Sequence, residues 1–351
     1  MGFLRIILYP FAVVFGFISR LRNRLFDLGI LPSESFDIPV ISVGNLCMGG
    51  TGKTPHVEYL ICLLKDKYHL ATLSRGYGRK TRGFRLAATG SSVKDIGDEP
   101  VLLKGKFPEV MVAVDESRRR GVRKLMELDP VPDVILLDDA YQHRYIQPGL
   151  NILLTDYFNL YTKDYLIPAG RLREPKSGAK RADIIVVTKT DPVWSPITER
   201  YLREELCPEP DQTVCYSYLK YGDPVALSGE KTDLCLQKKG SVLMVSGIAN
   251  PYPLEVYLKS HFNEFERLTF RDHHQFTAGD VKKIRSVFVS MMGREKIILT
   301  TEKDAIRMRE ANIADLLMDL PVYYLPVRIE FHSASSQTFD SRVLNYVEES
   351  K

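Results

Sequence analysis

Short apolar runs alternate with helical patterns through the first two thirds of the chain. Six of these runs are rich in β-branched residues and lie at 38–43, 70–73, 110–114, 134–137, 152–155 and 184–188. Each run is continuously apolar, which is typical of strands that are buried on both faces of a parallel sheet. The helical patterns between them, such as 56–67 and 118–128, suit right-handed crossover connections. The pattern predicts an α/β fold in which a mostly parallel sheet is flanked by helices.

Stretches rich in proline and glycine at 207–211 and 221–229 predict a boundary after this first unit. Apolar runs at 241–246 and 296–300 then alternate with further helical patterns, which indicates a second, smaller α/β domain. We therefore expect an N-terminal helix at 1–24, a larger domain at 25–228 and a smaller domain at 236–319. The remaining residues, 320–351, are expected to return to the larger domain.

The first 24 residues carry an apolar run, 6–18, followed by arginines. As a helix this run would extend for roughly 20 Å, short of the ~30 Å hydrocarbon core of a bilayer. Arg5, Arg20, Arg22 and Arg24 account for the whole formal net charge of +4, so the rest of the chain is neutral and does not resemble a general nucleic-acid binder. We expect a monotopic helix that lies in the membrane interface with its arginines near anionic head groups. A core helix covering a sheet is the alternative.

Composition narrows the class of protein. The chain has 351 residues, of which 44% are hydrophobic and 26% charged. These values exclude collagen, low-complexity disorder and a polytopic membrane protein. Its 5 cysteines include no Cys-x-x-Cys pair, which argues against a disulfide framework or a zinc site and is typical of a reducing cytosol.

The strongest motif is a glycine-rich hexapeptide between a predicted strand and a predicted helix, made of Gly49, Gly50, Thr51, Gly52, Lys53 and Thr54. This is the setting of a phosphate loop, in which backbone N–H groups and a helix N-terminus bind phosphates. Lys53 would contact the β- and γ-phosphates of a nucleotide, and the Thr54 hydroxyl would ligate Mg²⁺. Cys47 occupies the position of the first glycine of the standard pattern, and Met48 that of the signature lysine of partitioning ATPases. The fold class is therefore expected to be that of the P-loop NTPases.

Two pairs of acids are candidates for metal binding and proton transfer. The apolar run 134–137 ends in Asp138 and Asp139, a Walker B pattern that places a carboxylate beside the loop for Mg²⁺. The pattern does not separate the roles of these two acids. Asp98 and Glu99 open a helical pattern, so Asp98 is either a helix cap or the base that accepts a proton from an attacking alcohol.

Asp272, His273 and His274 form a third polar cluster, in the second unit. Three interpretations are open: a zinc site without a second ligand pair, ordinary surface groups, or an imidazole that reaches across an interdomain cleft to orient a catalytic acid.

Together the motifs resemble those of the tetraacyldisaccharide 4′-kinase family. The matching strings are GNLCMGGTGKTP at 44–55, LSRGYGR at 73–79, GDEP at 97–100, LDDAYQHR at 137–144, PAGRLREP at 168–175, RDHHQFT at 271–277 and TTEKDA at 300–305. They run in family order across most of the chain. One departure is Ala140-Tyr141, where the family often has Gly-Phe.

The resemblance implies transfer of the γ-phosphoryl group of ATP, with Mg²⁺, to the 4′-hydroxyl of tetraacyldisaccharide 1-phosphate, giving lipid IVA in lipid A biosynthesis. It implies a peripheral enzyme on the cytoplasmic face of the bacterial inner membrane, with a lipid disaccharide substrate and no obligate protein partner. It makes Asp98 the catalytic acid–base group with His273 as its partner, supported by Lys53 and Asp139, and gives the metal to Thr54, Asp138 and Asp139. Contacts to the lipid head group would come from Arg75, Arg118, Gln142, His143 and Arg171.

A membrane-associated switch ATPase or GTPase is the alternative function. The segment Thr188-Lys189-Thr190-Asp191 resembles the guanine-reading (N/T)KxD motif after a strand. However, Asp139 is followed by Ala140 and Tyr141 and not by the x-x-Gly of a switch loop. Another phosphate-loop kinase of small molecules is a second alternative, and dependence on a lipid acceptor would distinguish it.

Overall fold

The computed structural model describes residues 3–228, 240–293 and 295–350, and within them the helices and strands build two sheets with helices on their faces. The helices are α1 (Phe3–Asp27), α2 (Lys53–Leu64), α3 (Val93–Ile96), α4 (Asp98–Lys106), α5 (Arg118–Met126), α6 (Pro196–Leu206), α7 (Tyr252–His261), α8 (Ala278–Ser290), α9 (Glu302–Met308), α10 (Ala311–Leu317) and α11 (Ser333–Glu349). The strands are β1 (Val40–Asn45), β2 (Leu70–Ser74), β3 (Arg85–Leu86), β4 (Met111–Val114), β5 (Val134–Asp138), β6 (Leu150–Asp156), β7 (Ile184–Thr188), β8 (Thr213–Tyr221), β9 (Val225–Ala226), β10 (Ser241–Ser246), β11 (Glu264–Thr269), β12 (Lys296–Thr301), β13 (Val322–Leu325) and β14 (Val327–Phe331).

The larger sheet has the strand order β14-β8-β7-β6-β1-β5-β2-β4-β3. Its seven inner strands are parallel, and β3 and β14 run antiparallel at the two edges. Every residue of β1, β2, β5 and β7 is buried, as expected for strands covered by helices on both faces. The α/β class and the parallel sheet expected from the continuous apolar runs are thus confirmed.

The smaller sheet has the order β11-β10-β12-β13-β9, parallel except for β9. The chain leaves it after Leu325 and enters the larger sheet at Val327, where β14 pairs with β8 and α11 packs behind both strands. The apolar run at 322–327 therefore contributes to both sheets, and the return to the larger one begins at Pro326, later than the expected position 320.

Helix α1 is longer than the apolar run that predicted it. It has 25 residues, and its segment Arg5–Asp27 is long and apolar enough to cross a membrane by length and composition. A helix over residues 6–18 alone would be too short to cross a bilayer, as the sequence indicated, but the observed helix continues through the arginines. Most of its apolar surface faces away from the protein, with Ile6 and Phe17 exposed by 72% and 66%. An apolar helix of this kind is compatible with membrane association.

Candidate active site

The phosphate loop joins the centre of the larger sheet to α2. Gly49 and Gly52 have φ angles of 111° and 87°, which side chains with a Cβ rarely adopt. The backbone conformation at these two glycines directs the chain from the end of β1 into the first helical turn of α2, where Lys53 and Thr54 lie. The loop therefore has the strand–loop–helix geometry that the sequence predicts.

Three successive carbonyl groups of this loop are held by side chains from other elements. Lys189 Nζ donates to Gly50 O and, at 2.7 Å, to Asp156 Oδ2. Thr188 Oγ1 donates to Thr51 O at 2.9 Å, and His56 Nδ1 donates to Gly52 O at 2.7 Å. Because these oxygens are engaged by donors, they do not present unpaired negative charge to a bound phosphate.

The two acids after β5 have opposite electrostatic environments. Burial alone would raise the pKa of Asp139, but Lys53 Nζ at 3.7 Å and Arg173 Nη2 at 2.7 Å hold it far below its ordinary value. Asp138 is buried, and its Oδ1 has no hydrogen-bond partner. Burial, reinforced by Glu99 and Asp139, raises the pKa of Asp138 to about 7. The backbone of Asp139 is left-handed (φ 49°), so the two carboxylates do not follow the strand alternation.

A buried carboxylate oxygen without a partner beside a phosphate loop fits a divalent cation. Within the part of the chain that the structure describes, no group of three or more His, Cys, Asp or Glu residues could hold a metal. A Mg²⁺ ion at this position would be held by Asp138, Asp139 and the Thr54 hydroxyl together with nucleotide oxygens, since Mg²⁺ commonly binds through one or two carboxylates and substrate phosphates. The residues that the sequence assigns to the metal thus fit it chemically.

Asp98 and His273 come together from the two domains. Asp98 is the first residue of α4 and is only 4% exposed, while His273 lies in the loop after β11 with a left-handed backbone (φ 56°). Asp98 Oδ2 and His273 Nδ1 are 2.9 Å apart. This hydrogen bond raises the pKa of His273. Burial alone would raise the pKa of Asp98, but the contact with His273 lowers it below its ordinary value.

A cavity of about 420 Å³ lies between the domains, where His273 and Glu99, the neighbour of Asp98, line it together with Asp139 and the phosphate loop. Glu99 forms an ion pair across it with Lys303 of α9. Lys106 of α4 also bridges the domains, at 2.8 Å from carboxylate oxygens of both Glu58 and Glu302. Residues that line the cavity include Gly49, Gly50, Gly52, Lys53, Thr54, Glu99, Asp139, Arg173, Lys189, Asp272, His273 and Lys303.

Three of the residues expected to contact the acceptor, Arg75, Arg118 and His143, lie close to one another beside the Walker B acids. Burial lowers the pKa of His143 to about 4, and Arg118, Arg75 and Arg22 add to the effect. Arg118 is buried, and it donates to the backbone oxygens of Asp115 and Asp138 at 2.7 and 3.2 Å. Its observed contacts therefore fix the end of β5, and an acceptor contact stays a prediction for all three.

The other two residues expected to contact the acceptor, Gln142 and Arg171, lie near helix α1. The side-chain amide of Gln142 donates to Asn45 O at 2.7 Å and to Glu174 Oε1 at 3.0 Å. The backbone carbonyl of Gln142 accepts from Arg22 of α1. Arg171 pairs with Asp164 at 2.9 Å and lines two further pockets. One of them borders the phosphate loop and adjoins the central cavity, and the other also contains Arg5.

Glu99, Arg173, Lys189 and Lys303 line the cavity but were given no role from the sequence. Glu99 and Arg173 belong to the strings GDEP and GRLREP, but spacing gives no reason to prefer them to Asp98 and Arg171. Lys189 belongs to the guanine-reading pattern, and its contact with the phosphate-loop backbone requires tertiary structure. Tyr141, at the departure from Gly-Phe, is buried and donates to Gly178 O at 2.8 Å, so the loop accommodates the larger ring.

The fold and the site define a phosphate-loop phosphotransferase whose site lies between two α/β domains. A family model described as tetraacyldisaccharide-1-P 4′-kinase matches residues 4–348. The chain is 46% identical to the tetraacyldisaccharide 4′-kinase of Parabacteroides distasonis, over 97% of this chain and 94% of that one. It is also 46% identical to that of Flavobacterium johnsoniae, over 99% of each chain.

A solved structure extends the comparison. The structure described as the "apo" form of LpxK from Aquifex aeolicus in complex with ATP matches with a TM-score of 0.74 and 30% identity, over 98% of this chain and 99% of that one. The chain therefore belongs to the tetraacyldisaccharide 4′-kinase family and is a kinase that acts on a sugar hydroxyl. Family membership does not favour the switch ATPase or GTPase alternative, and Asp191, the acid of the guanine-reading pattern, is exposed outside the cavity.

The contact of Lys189 with the phosphate loop predicts a nucleotide-binding defect for Lys189→Met. We expect the KM for ATP to rise about 10- to 100-fold, because a hydrogen bond to a charged donor contributes roughly 1.5–3 kcal/mol. The value of kcat at saturating ATP should change less. Calorimetric titration with ATP, without acceptor, measures the effect directly. Lys67→Met, at an exposed lysine beyond α2, is the control, and an unchanged ATP affinity in Lys189→Met would contradict the prediction.

Proposed function

We propose that this chain transfers the γ-phosphoryl group of ATP to the 4′-hydroxyl of tetraacyldisaccharide 1-phosphate, giving lipid IVA, and that Asp98 accepts the hydroxyl proton. The observation that carries this assignment is the contact of 2.9 Å between Asp98 and His273 beside the phosphate loop. Family membership supports the reaction, and the contact supports the choice of Asp98 and His273.

The nucleotide would bind with its triphosphate along the loop and the N-terminus of α2. Backbone N–H groups and Lys53 would orient the β- and γ-phosphates, and Asp138, Asp139 and Thr54 would hold Mg²⁺. When bound, Mg²⁺ neutralises charge on the phosphate oxygens. Positioning and charge stabilisation account for most of the catalysis expected in phosphoryl transfer.

Asp98 would act as the base because it is buried yet kept ionised. A carboxylate in an apolar setting ordinarily takes up a proton, and the His273 imidazolium opposes this. A hydroxyl oxygen within hydrogen-bond distance of Asp98 can give up its proton as it attacks phosphorus. His273 Nδ1 orients the carboxylate, so the imidazole acts as its partner.

The two domains would close on the substrates through pairs that cross the cleft. Glu99–Lys303 and Lys106–Glu302 join α4 to α9, and α4 carries Asp98 at its first residue. A change of domain angle would therefore move the base relative to His273. Closure would assemble the dyad and exclude water from the reacting groups.

The lipid acceptor supports a membrane location for the site. Helix α1 is tied to the protein near both ends, since Arg5 donates to Ala169 O at 2.9 Å and Arg144 donates to Asn23 O at 2.7 Å. A helix held along its length in this way suits an orientation in the membrane interface, with its apolar face towards the acyl chains. The four free cysteines among the described residues and the use of ATP suit the cytoplasmic face of the inner membrane.

Removal of the proposed base predicts a defect in turnover. Asp98→Ala should lower kcat by ~10²–10⁴ while ATP affinity is retained, because the carboxylate acts on the acceptor hydroxyl. Transfer of labelled γ-phosphate to purified tetraacyldisaccharide 1-phosphate measures kcat. Asp95→Ala, which removes an exposed acid from the cap of α3, is the control. Near-normal turnover of Asp98→Ala would rule out the proposed base.

Removal of His273, the partner of the proposed base, predicts a shift in the pH profile of kcat. Because the His273 imidazolium lowers the pKa of Asp98 against the effect of burial, His273→Asn should let that pKa rise. Asp98 would then stay protonated to a higher pH, so the acid limb of the kcat profile should move to higher pH. His274→Asn is the matched control, since His274 binds Asp280 and not Asp98. An acid limb that does not move would mean that His273 leaves the base unaffected.

The exposed apolar face of α1 is predicted to be the surface that contacts the membrane. Replacing Ile6, Phe11 and Phe17 by serine should reduce sedimentation with vesicles that contain anionic phospholipid. Phosphorylation of detergent-dispersed acceptor should be retained, because these side chains lie away from the cleft. Replacing Val193 and Ile197, which are 90% and 81% exposed on the larger domain, controls for lost surface hydrophobicity. Equal sedimentation of both variants would argue against α1 as the membrane contact.

A further inference from the structure

The smaller domain contains a buried ion pair that is not among the residues proposed to carry out the reaction. Asp304 and Arg307, both on α9, are 0% and 2% exposed, and Arg307 Nη2 donates to Asp304 Oδ1 at 2.7 Å. Thr301 Oγ1 donates to Asp304 Oδ2 at 2.7 Å. Burying two charges costs free energy that their attraction does not fully offset unless further hydrogen bonds are made. Besides Thr301 and the Lys303 carbonyl, these further bonds involve Gly247, which contacts both members of the pair.

Gly247 follows β10, and both of its backbone groups are engaged by the pair. Gly247 N donates to Asp304 Oδ2 at 3.0 Å, and Gly247 O accepts from Arg307 Nη2 at 3.2 Å. A Cβ at this position would lie 3.1 Å from Asp304 Oδ1 and 3.3 Å from His274 Cβ. The ion pair therefore fixes the orientation of the Gly247 peptide groups within a tightly packed setting.

The same carbonyl of Gly247 holds the backbone of His273. His273 N donates to Gly247 O at 3.1 Å and shares this bond with Asp272 Oδ1, also at 3.1 Å. The φ of His273 is 56°, a left-handed conformation that costs free energy for a residue with a Cβ. Asp98 faces the imidazole from α4, and Asp272 from the same loop, at 3.9 Å. The ring of Tyr77 lies 4.8 Å away between centroids, and Glu99 adds a further negative charge nearby.

We propose that Asp304 and Arg307 are positioning residues for phosphoryl transfer, which hold the His273 backbone through Gly247 so that the imidazole reaches Asp98. The proposal rests on the proposed function in one respect, that His273 and Asp98 form the catalytic dyad. It assigns a role to Asp304 of the string TTEKDA, in which Glu302 and Lys303 already form ion pairs across the cleft. Each link from the ion pair to the base is a hydrogen bond of 2.7–3.2 Å.

The test is a double-mutant cycle of Asp304→Asn and His273→Asn. Asp304→Asn keeps the size of the side chain but removes the charge that orders Arg307 and Gly247. We expect kcat to fall ~10- to 100-fold, since misplacing a catalytic group by about 1 Å can cost that much. The KM for ATP should change less than about twofold. In the His273→Asn background the same substitution should change kcat by less than about threefold, because the group that it positions is already absent.

The pKa of His273 provides a readout besides activity. The NMR signal of His273, assigned by its loss in His273→Asn, should titrate at lower pH in Asp304→Asn, because the imidazole would lose its contact with Asp98. Arg307→Lys, which keeps a buried cation, should retain part of kcat and part of the raised pKa, whereas Arg307→Met should retain neither. If Asp304→Asn does not fold, the comparison of Arg307→Lys with Arg307→Met decides the question.

Asp280→Asn is the matched control. Asp280 also lies in the smaller domain, caps α8 and binds the neighbouring histidine, His274, at 3.0 Å. We expect this variant to lose some thermal stability, to leave the pKa of His273 unchanged and to combine additively with His273→Asn.

Two outcomes would overturn separate claims. If Asp304→Asn lowers kcat by the same factor with and without His273, or leaves the pKa of His273 unchanged, the pair is only structural and the positioning role is wrong. If His273→Asn itself leaves kcat unchanged, the proposed dyad fails, whatever Asp304 does.

Discussion

The contact between Asp98 and His273 joins two domains whose sheets are otherwise separate. Asp98 begins α4 in the larger domain, and His273 lies after β11 in the smaller one. Burial opposes the charge of Asp98, and His273 offsets this effect, with further contributions from Lys303 and Arg307. In the proposed mechanism, closure of the cleft would bring the imidazole to Asp98 while it removes the carboxylate from water, so the buried base would stay ionised.

The carboxylates at the same cleft differ in their charged partners. Among the described residues, Asp139 has Lys53 and Arg173, and Glu99 has Lys303. Asp138 has an oxygen with no partner and a raised pKa. A cation bound there would be stabilised by this carboxylate and would in turn lower its pKa, while the phosphates of a nucleotide would supply the remaining ligands. Metal and nucleotide are thus expected to bind cooperatively, because neither completes the site alone.

Local sequence patterns predicted the parts of this arrangement that depend on neighbours in the chain. The parallel strands were recognisable because burial on both faces leaves continuous apolar runs. The phosphate loop was recognisable because its glycines adopt φ angles that other residues avoid. The strand β8 was not predicted, because it contains polar residues and ends in partly exposed ones. Asp98 was left as a cap or a base. It begins α4 and accepts from Glu99 N at 3.0 Å through Oδ1, while Oδ2 contacts a histidine 175 positions away, which spacing cannot reveal. Arg118 was grouped with acceptor contacts by resemblance, and only the tertiary structure brings its side chain to the backbone of Asp138.

The position of α1 relates the cleft to a lipid substrate. Its arginines and asparagine contact the segments around 142, 169 and 174, and Gln142 and Arg173 of these segments both bond to Asn45 O at the end of β1. The loops that hold the helix are therefore continuous with those that border the phosphate loop. An acyl chain costs ~0.8 kcal/mol for each methylene group taken into water, so a tetraacylated acceptor stays in the bilayer. A kinase docked on the bilayer, as proposed, would bring the γ-phosphate to the surface at a fixed height. If α1 lies in the interface, these short connections set that height, and the acceptor hydroxyl reaches Asp98 without extraction of the lipid.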